Sequence, residues 1–224
     1  MTEAQLVENT IRRRRSIRGF LPRPVDAETL RQIFAVAQRA PSSCNIQPWT
    51  VHVVSGATAD RVRAALENAA SKQMPVSPDI TLTGPYEGVH RERQIDSAKQ
   101  LFRAQGIERH DTDGRFQSYL RNFRFFDAPH AAFIFLQKDL GMREAADCGM
   151  YAQTLMLALA ARGIASCPQG ALSHYAGELR SVLDIPDSHR LLMGIAFGYE
   201  DPDHAANAAR VDRASVDEAV LFHD

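Results

Sequence analysis

A helix without a polar face constrains this fold more than any other feature of the sequence. Residues 147–162 contain the run MYAQTLMLALAA, which is apolar on almost every side, and Gly163 follows as the residue that ends the helix. Two nearly all-apolar strands accompany it, HAAFIFL at residues 130–136 and LLMGIAFGY at residues 191–199. Strands of this kind are covered on both faces. The helix must therefore lie in the core or against another subunit, in a fold that is α+β or α/β.

Shorter segments surround these three elements. Thr2 and Gln5 form a capping box that predicts a first helix ending near an arginine run. Asp26 caps a second helix, which Pro41 ends. The other predicted elements are a strand at 49–54, helices at 59–70, 86–105 and 115–124, and a long loop at 72–85. We expect a single domain over residues 1–224, with an inserted loop and helical segment at about 74–121.

The segment with the most distinctive chemistry is RRRRSIRGF, residues 12–20. It places five arginines and a serine within seven positions. Guanidinium groups bind phosphate oxygens in pairs and stay charged at any physiological pH. A polar loop, APSSCNIQPW at residues 40–49, follows and contains the only tryptophan. Together the two segments suggest a bound phosphorylated cofactor.

The overall charge limits what the arginine run can bind. The chain has 26 Lys and Arg against 27 Asp and Glu, a formal net charge of −1. A nucleic-acid-binding domain usually has a clear basic excess, so we expect no nucleic-acid partner. Arg12 and Arg13 fit a solvated helix end, where cations favour the helix dipole. An anion or RNA patch over residues 12–18 is the non-enzymatic alternative.

The cysteines and the amino terminus suggest a cytoplasmic protein. Cys44, Cys148 and Cys167 form no CxxC pair and cannot all pair with one another, which favours free thiols in a reducing compartment. The amino terminus has no apolar signal region, and no window approaches 18 uninterrupted apolar residues. The eight histidines form no metal-spaced pair, so we expect no metal site.

Six segments, in order, resemble the FMN-dependent nitroreductase family, most closely its nitrobenzoate reductase branch. They are RRRRSIRGF, APSSCNIQPW, RNFRFFDAP, ARGIASCPQGAL, MGIAFGYEDPD and NAARVDR. The resemblance implies an α+β nitroreductase-like fold, with a mixed, mainly antiparallel sheet wrapped by helices in an intertwined homodimer. It also implies tightly bound FMN at the subunit interface and NADH or NADPH as the hydride donor.

The same resemblance implies which residues bind FMN. The matching positions are Arg14, Arg15, Ser16, Arg18 and Arg213 for the phosphate, Pro41, Ser42, Ser43 and Asn45 for a loop from the other subunit, and Arg124, Pro168, Gln169 and Gly170 for the ring. Arg121 and Asn122 are alternatives to Arg124 at the N1/O2 edge of the ring. Better-known members have an acidic residue where this chain has CPQGAL, so side-chain roles there are open. An ordinary turn or loop is the structural alternative for these segments.

The implied reaction is a two-step, ping-pong hydride transfer from NAD(P)H to a small aromatic acceptor, such as a nitroaromatic or a quinone. The flavin carries the chemistry, so neither a catalytic side chain nor a metal is expected. Reductive dehalogenation and flavin fragmentation on the same scaffold stay open. Aromatic residues of the insertion are candidate walls of the acceptor site, with helix packing as the alternative. They are Tyr86, Phe102, Phe116 and Tyr119.

Overall fold

A computed structural model describes residues 1–81 and 84–223. The predicted loop at 72–85 therefore includes two residues, 82 and 83, that lie outside the described part. The helices are α1 (Glu3–Arg13), α2 (Ala27–Ala37), α3 (Gly56–Ser71), α4 (Gly88–Ala104), α5 (Thr112–Leu120), α6 (Met142–Ala161), α7 (Ala176–Leu183) and α8 (Val216–Ala219). The strands are β1 (Trp49–Ser55), β2 (His130–Gln137), β3 (Ala165–Gln169) and β4 (His189–Gly198).

The four strands form one sheet in the order β1-β2-β4-β3. Every pair of neighbouring strands is antiparallel. A parallel contact occurs only at an isolated bridge between Ser16 and Ser166, within the part that the structure describes. All strand pairs in the sheet of one chain are therefore antiparallel. The parallel part of the expected mixed sheet is limited to this bridge. The overall α+β class is confirmed.

The apolar strands are covered on both faces, as their sequences predict. Successive side chains of β2 point to opposite sides of the sheet, and each set enters its own core cluster. Phe133 and Phe135 pack with α3, α5 and α7. Ala132, Ile134 and Leu136 pack with α2 and α6. The sheet is therefore the middle layer between two groups of helices.

Helix α6 is buried on one side and uncharged on the other. Tyr151, Leu155 and Leu159 are buried against the sheet, whereas Met142 and Met150 face outward and are exposed. No charged residue occurs between 148 and 161. Helix α1 likewise carries exposed Leu6, Val7 and Ile11 and has no buried residue.

Two peripheral segments have few contacts with this core. The insertion contains α4 and α5, and α4 has no buried residue. Residues 210–223, which follow the short 3-10 turn Ala205–Ala208, are all exposed. Leu221 and Phe222 are 78% and 79% exposed. None of the helices in the described ranges is long and apolar enough to cross a membrane.

Most boundaries lie close to the predicted ones. The predicted α5 at 115–124 instead spans Thr112–Leu120: Asp111 caps its start, and residues 121–124 form turns that lead into three left-handed residues, 125–127. The predicted loop containing Pro168, Gln169 and Gly170 is also different, since Pro168 and Gln169 end β3 and Gly170 begins a 3-10 turn. Helix α7 was not predicted.

Candidate functional site

The arginine run leaves α1 and continues beside β3. The backbone N–H of Ile17 donates to the carbonyl of Ser166 at 3.1 Å, within the parallel bridge between Ser16 and Ser166. Ile17 itself is buried in the core. The residues on either side of it are therefore held at the start of β3, with their side chains partly exposed.

Three of the predicted phosphate residues lie close enough to one buried thiol to affect its pKa. Burial raises the pKa of Cys167 to about 11, and Arg18, Ser16 and Arg14 act in the opposite direction. Two guanidinium groups and a hydroxyl thus converge at β3. Neither Arg14 nor Arg18 forms an ion pair within the described residues. Their charge is available to an anion.

Arg15 has a different environment. Its guanidinium pairs with Glu200 at 2.7 Å and donates to the carbonyl of Asn207 at 2.8 Å. Both partners follow β4, more than 180 residues away along the chain. The structure therefore makes Arg15 part of the scaffold behind Arg14 and Arg18, even though the sequence groups the three together.

Asn207 connects the arginine run to the tail and was not singled out from the sequence. Its Oδ1 accepts from the backbone N–H of Arg18 at 2.7 Å, and its Nδ2 donates to the carbonyls of Gly19 and Asp201. The side chain of Arg210 donates to the carbonyl of Asn207. A Cβ at Gly19 would overlap the His204 ring, so a glycine is required for this close approach. Asn207 is the first residue of the NAARVDR segment, in which only Arg213 is a predicted site residue.

A cavity of ≈160 Å³ opens beside the run. Its lining includes Arg13, Arg14 and Arg15, with Gly163 and Ser166 opposite them. Glu200 is the one carboxylate in that lining. Arg213 does not join this group in a single chain, since its side chain is exposed and contacts the carbonyls of Val211 and Asp212.

Buried Gln169 and partly buried Asn122 form an amide pair at the far end of β3. The Nε2 of Gln169 donates to the backbone carbonyl of Asn122 at 2.9 Å and to its Oδ1 at 3.3 Å. Gln169 is 3% exposed, and its Oε1 has no hydrogen-bond partner in the described residues. A buried acceptor without a donor is unfavourable and is typical of a site that binds a ligand. Next to it, Gly170 is exposed, with open space where a Cβ would be.

The two arginines considered for the ring edge both form ion pairs. Arg124 contacts Glu67 on α3 at 2.5 Å, which raises the pKa of its guanidinium. Arg121 contacts Asp127 at 2.9 Å. Residues 125–127, which follow Arg124 directly, lie in the left-handed region, a strained backbone that buries Phe125 and Phe126. Of the three alternatives, the structure brings Asn122 to Gln169.

The loop with Pro41, Ser42, Ser43 and Asn45 is held by a buried carboxylate. Asp147 on α6 is 4% exposed and accepts from the backbone N–H of Ser43 at 3.0 Å. The N–H of Gln47 donates to Ser42 Oγ. Cys44, Asn45 and Gln47 all have positive φ angles, which is a further sign of a constrained loop. From the sequence alone, Asp147 is only the first residue of a predicted helix.

Within one chain, this loop and the arginine run lie at opposite ends of α6. The loop contacts Asp147, whereas the cavity beside Arg14 is lined by Ala160. Thirteen residues of helix separate these two positions, which is roughly 20 Å at 1.5 Å per residue. A single chain therefore does not bring all the predicted residues to one place.

The insertion aromatics divide between core and surface. Tyr119 stacks on Phe116 and contacts Phe123 in the core, whereas Tyr86 is exposed. Phe102 lies under the Arg115 guanidinium, 4.9 Å from its carbon atom. Across residues 1–81 and 84–223, no three His, Cys, Asp or Glu side chains come together as a metal site.

Comparison with known proteins adds independent information. The sequence model of the Nitroreductase family matches residues 11–199. The chain is 44% identical to nitroreductase NfnB of Mycolicibacterium smegmatis over 98% of this chain and 93% of that protein. It is 33% identical to the chloronitrobenzene nitroreductase of Comamonas testosteroni over 99% of each chain. It is 30% identical to a 4-nitrobenzoate reductase of Pseudomonas putida over 89% of this chain and 88% of that one.

Solved structures resemble the whole chain as well. The FMN-dependent nitroreductase NfnB from Mycobacterium smegmatis, in complex with NADPH, superposes with a TM-score of 0.96 at 43% identity over the full length of both chains. The FMN and NADPH-dependent nitroreductase NfnB from a Sphingopyxis strain superposes with a TM-score of 0.93 at 33% identity, over 97% of this chain and 99% of that one.

Proposed function

The chain belongs to the nitroreductase family, and on that premise we propose that it is an FMN-dependent oxidoreductase that uses NADH or NADPH to reduce nitroaromatic, quinone or similar electron-poor acceptors. Its relatives of similar length are reductases of nitrobenzoate and other nitroaromatic compounds. The observation that carries the proposal is the cation cluster at β3: Arg14 and Arg18 lie near Cys167 without an ion pair in the described residues, and Arg14 also lines a small cavity.

The cluster fits a ribityl phosphate. Arg14 and Arg18 supply two fixed positive charges, and Ser16 supplies a hydroxyl donor. Arg15 and Asn207 hold the backbone that carries them. Charge-assisted hydrogen bonds from guanidinium to phosphate are among the strongest polar contacts in proteins. We infer that Arg14, Ser16 and Arg18 bind the phosphate directly and that Arg15 acts through them.

The amide pair fits the polar edge of an isoalloxazine ring. The orphan Oε1 of Gln169 offers an acceptor, and Gly170 leaves its backbone open to a planar group. The CPQGAL segment that contains Gln169 has no acidic residue, whereas better-known family members have one in the matching loop. A neutral neighbour favours the gain of negative charge on reduction more than a carboxylate does. Pro168 and Asn122 complete this side of the site.

The loop of residues 41–45 reaches the site of a second copy. Its separation of roughly 20 Å from the arginine run along α6 supports this assignment, because one chain cannot provide both contacts. The uncharged outer face of α6, the exposed apolar side chains of α1 and the exposed tail supply surface for such a dimer. We therefore propose a homodimer with two sites, each built from both chains. In this dimer, Arg213 is one of the residues that bind the FMN phosphate.

When bound, FMN supplies the two-electron redox chemistry, and the protein's residues orient the reactants and exclude water. The donor and the acceptor occupy the same face in turn. Cys167 stays protonated, since burial raises its pKa to about 11, so it serves as packing and not as a nucleophile. The three free cysteines are consistent with a reducing, cytoplasmic setting. One sheet with a core on each face supports a single domain with an insertion at 74–121.

The test is a visible spectrum of the purified protein followed by an acceptor assay. We expect a bound-flavin spectrum and NAD(P)H oxidation that requires 4-nitrobenzoate or a quinone, measured anaerobically to exclude oxygen as acceptor. A halogenated aromatic without a nitro group serves as the control for reductive dehalogenation. A colourless protein that neither binds added FMN nor quenches its fluorescence would overturn the proposal and favour plain anion binding.

A further inference from the structure

The insertion forms a second concave surface outside the site described above. A groove of ≈1080 Å³ runs along one face of α4, past the loop at 106–109, to Arg115. Its apolar floor contains Ile95, Phe102 and Ile107. A long, solvated helix without buried residues gains little from packing, so its groove is of interest for what it binds.

The lining of the groove is strongly basic in a chain with a net charge of −1. Five cations line it, against the two carboxylates of Asp96 and Glu108. The cations are Arg91, Lys99, Arg103, Arg109 and Arg115. None of the five forms an ion pair within the described residues, whereas seven such pairs occur elsewhere in that part of the chain. The groove therefore presents uncompensated positive charge.

The groove is also close to the candidate flavin site. Helix α4 packs on the turn Ala205–Ala208, whose Asn207 holds Arg15 and Arg18. Arg115 precedes Arg121 by six residues of helix, roughly 9 Å, and Asn122 follows directly. A long molecule with one end at Gln169 can extend along the insertion.

We propose that this groove binds the phosphate groups of the nicotinamide dinucleotide and selects NADPH over NADH through the 2′-phosphate. The inference rests on the proposed function and adds the part of the donor that lies away from the ring. Phosphates match the charge of the lining, and a neutral nitroaromatic does not. The Arg115 guanidinium, stacked on Phe102, offers a flat surface for the adenine base.

The experiment uses the FMN-loaded protein with Arg103→Gln and Arg109→Gln combined. Neither side chain forms a hydrogen bond or an ion pair with the described residues, so the substitutions should have little effect on the fold. We expect the KM for NADPH to rise about three- to tenfold, as for the loss of two partly exposed ion pairs. The KM for NADH rises less, and kcat and FMN content stay unchanged. Adenosine 2′,5′-bisphosphate, followed by calorimetry, should bind the wild-type holoenzyme and lose affinity in the variant.

Arg93→Gln is the matched control, because Arg93 lies on α4 outside the groove lining and pairs with Glu218. It should leave both KM values unchanged. Equal KM values for NADPH in wild type and double variant, or no binding of the bisphosphate, would overturn the groove assignment while leaving the FMN spectrum intact. Loss of the flavin spectrum in the wild type would instead overturn the proposed function.

Discussion

Arg14 and Arg15 are adjacent in the sequence, yet their side chains have different partners. Arg15 is neutralised by Glu200, whereas Arg14 lines a cavity without an ion pair in the described residues. An arginine that is already paired has less to offer an incoming anion. The division of labour in the run is therefore set by residues far away in the sequence, and single substitutions can separate the two roles.

Replacing Arg14 with Ala should weaken FMN binding without unfolding the protein. Losing a hydrogen bond to a charged group costs about 1.5–3 kcal/mol, or about ten- to a hundredfold in affinity. Flavin fluorescence during titration of the apoprotein measures this change. Arg12→Ala, at the exposed end of α1, is the control and should bind FMN like the wild type. Unchanged affinity in Arg14→Ala would refute the phosphate assignment.

Gln169→Glu tests the amide pair. The new carboxylate would face the carbonyl and the Oδ1 of Asn122, two acceptors, in a buried position. Burial and this arrangement raise the pKa of the introduced Glu above its value in the unfolded chain. Its neutral form is tolerated, so the variant should have nearly full stability at low pH and lose it as the pH rises through the raised pKa.

Melting temperatures of wild type and Gln169→Glu at pH 5 and pH 8 measure this dependence. We expect the difference between the two proteins to be larger at pH 8. Gln169→Met, which lacks a titrating group, is the control and should give a pH-independent difference. A deficit for Gln169→Glu that is the same at both pH values would contradict the geometry.

At the scale of elements, β2 and α6 connect the candidate site to the core. The first residue of β2, His130, is buried; its Nε2 accepts from the N–H of Val25 at 2.9 Å, and its Nδ1 lies 2.5 Å from the Ser55 hydroxyl. One imidazole thus joins the entry to α2 with the end of β1. At the other end of the sheet, Asp147 on α6 fixes the loop of residues 41–45.

His130 should make stability fall in acid. Burial, with a smaller contribution from Arg63, lowers the pKa of His130. Protonation therefore favours the unfolded chain, and the contribution is full above about pH 6.5 and is lost as the pH falls through the lowered pKa. His130→Gln should show a shallower decline of melting temperature between pH 7.5 and pH 5 than wild type. His90→Gln, on exposed α4, is the control; parallel curves for all three proteins would contradict this role.

Asp147→Ala should loosen the loop and weaken FMN binding. The N–H of Ser43, which is partly buried, would lose its acceptor, at a cost of about 1–3 kcal/mol. Asp147→Asn keeps an oxygen at the same place and is the matched control. Thermal unfolding and FMN titration of both variants measure the effect. Equal FMN affinity in the alanine and asparagine variants would show that the loop does not depend on this contact.

The whole molecule determines which copy completes which site. In one chain, the proposed phosphate-binding arginines and the loop of residues 41–45 lie at opposite ends of α6. Each proposed site therefore combines the arginines of one chain with the loop of the other. The Arg14→Ala substitution therefore affects the arginine half of a site, and the Asp147→Ala substitution affects the loop half. In their mixed dimer, one site carries both defects and the other carries none.

Mixed dimers should recover flavin binding that neither variant homodimer has. Co-expression with two affinity tags isolates the mixed species, and FMN stoichiometry measures the result. We expect about one tightly bound FMN per mixed dimer, against weak binding in both homodimers. Mixed dimers that bind FMN no better than the average of the homodimers would mean that each site is built from a single chain.

Much of the fold could be predicted because its signals are periodic and local. The apolar runs of β2, β4 and α6 and the caps Thr2 and Asp26 all lie where their patterns indicate. The short strand β3 escaped because its sequence, ASCPQ, does not alternate and contains a proline. It exists because β4 and the arginine run pair with it on its two sides.

The candidate site was predictable in its residue types and less so in its contacts. The run at 12–18 and the loop at 41–45 stood out by composition. The pairing of Arg15 with Glu200 and of Arg124 with Glu67 could not be read from the sequence, because it depends on residues 185 and 57 positions away. The same is true of Asp147 and Asn207, which are single polar residues until the chain folds around them.

The buried amide of Asn207 also bears on how the protein is made. Asn207, whose carbonyl and side chain hold Arg15 and Arg18, is synthesised 192 and 189 residues after them. Strand β4, which joins β2 to β3, is translated late as well. A nascent chain that has not yet reached Asn207 therefore lacks part of the proposed phosphate-binding cluster. We therefore expect FMN to bind at the proposed cluster only after Asn207 has been synthesised and has packed against the arginine run.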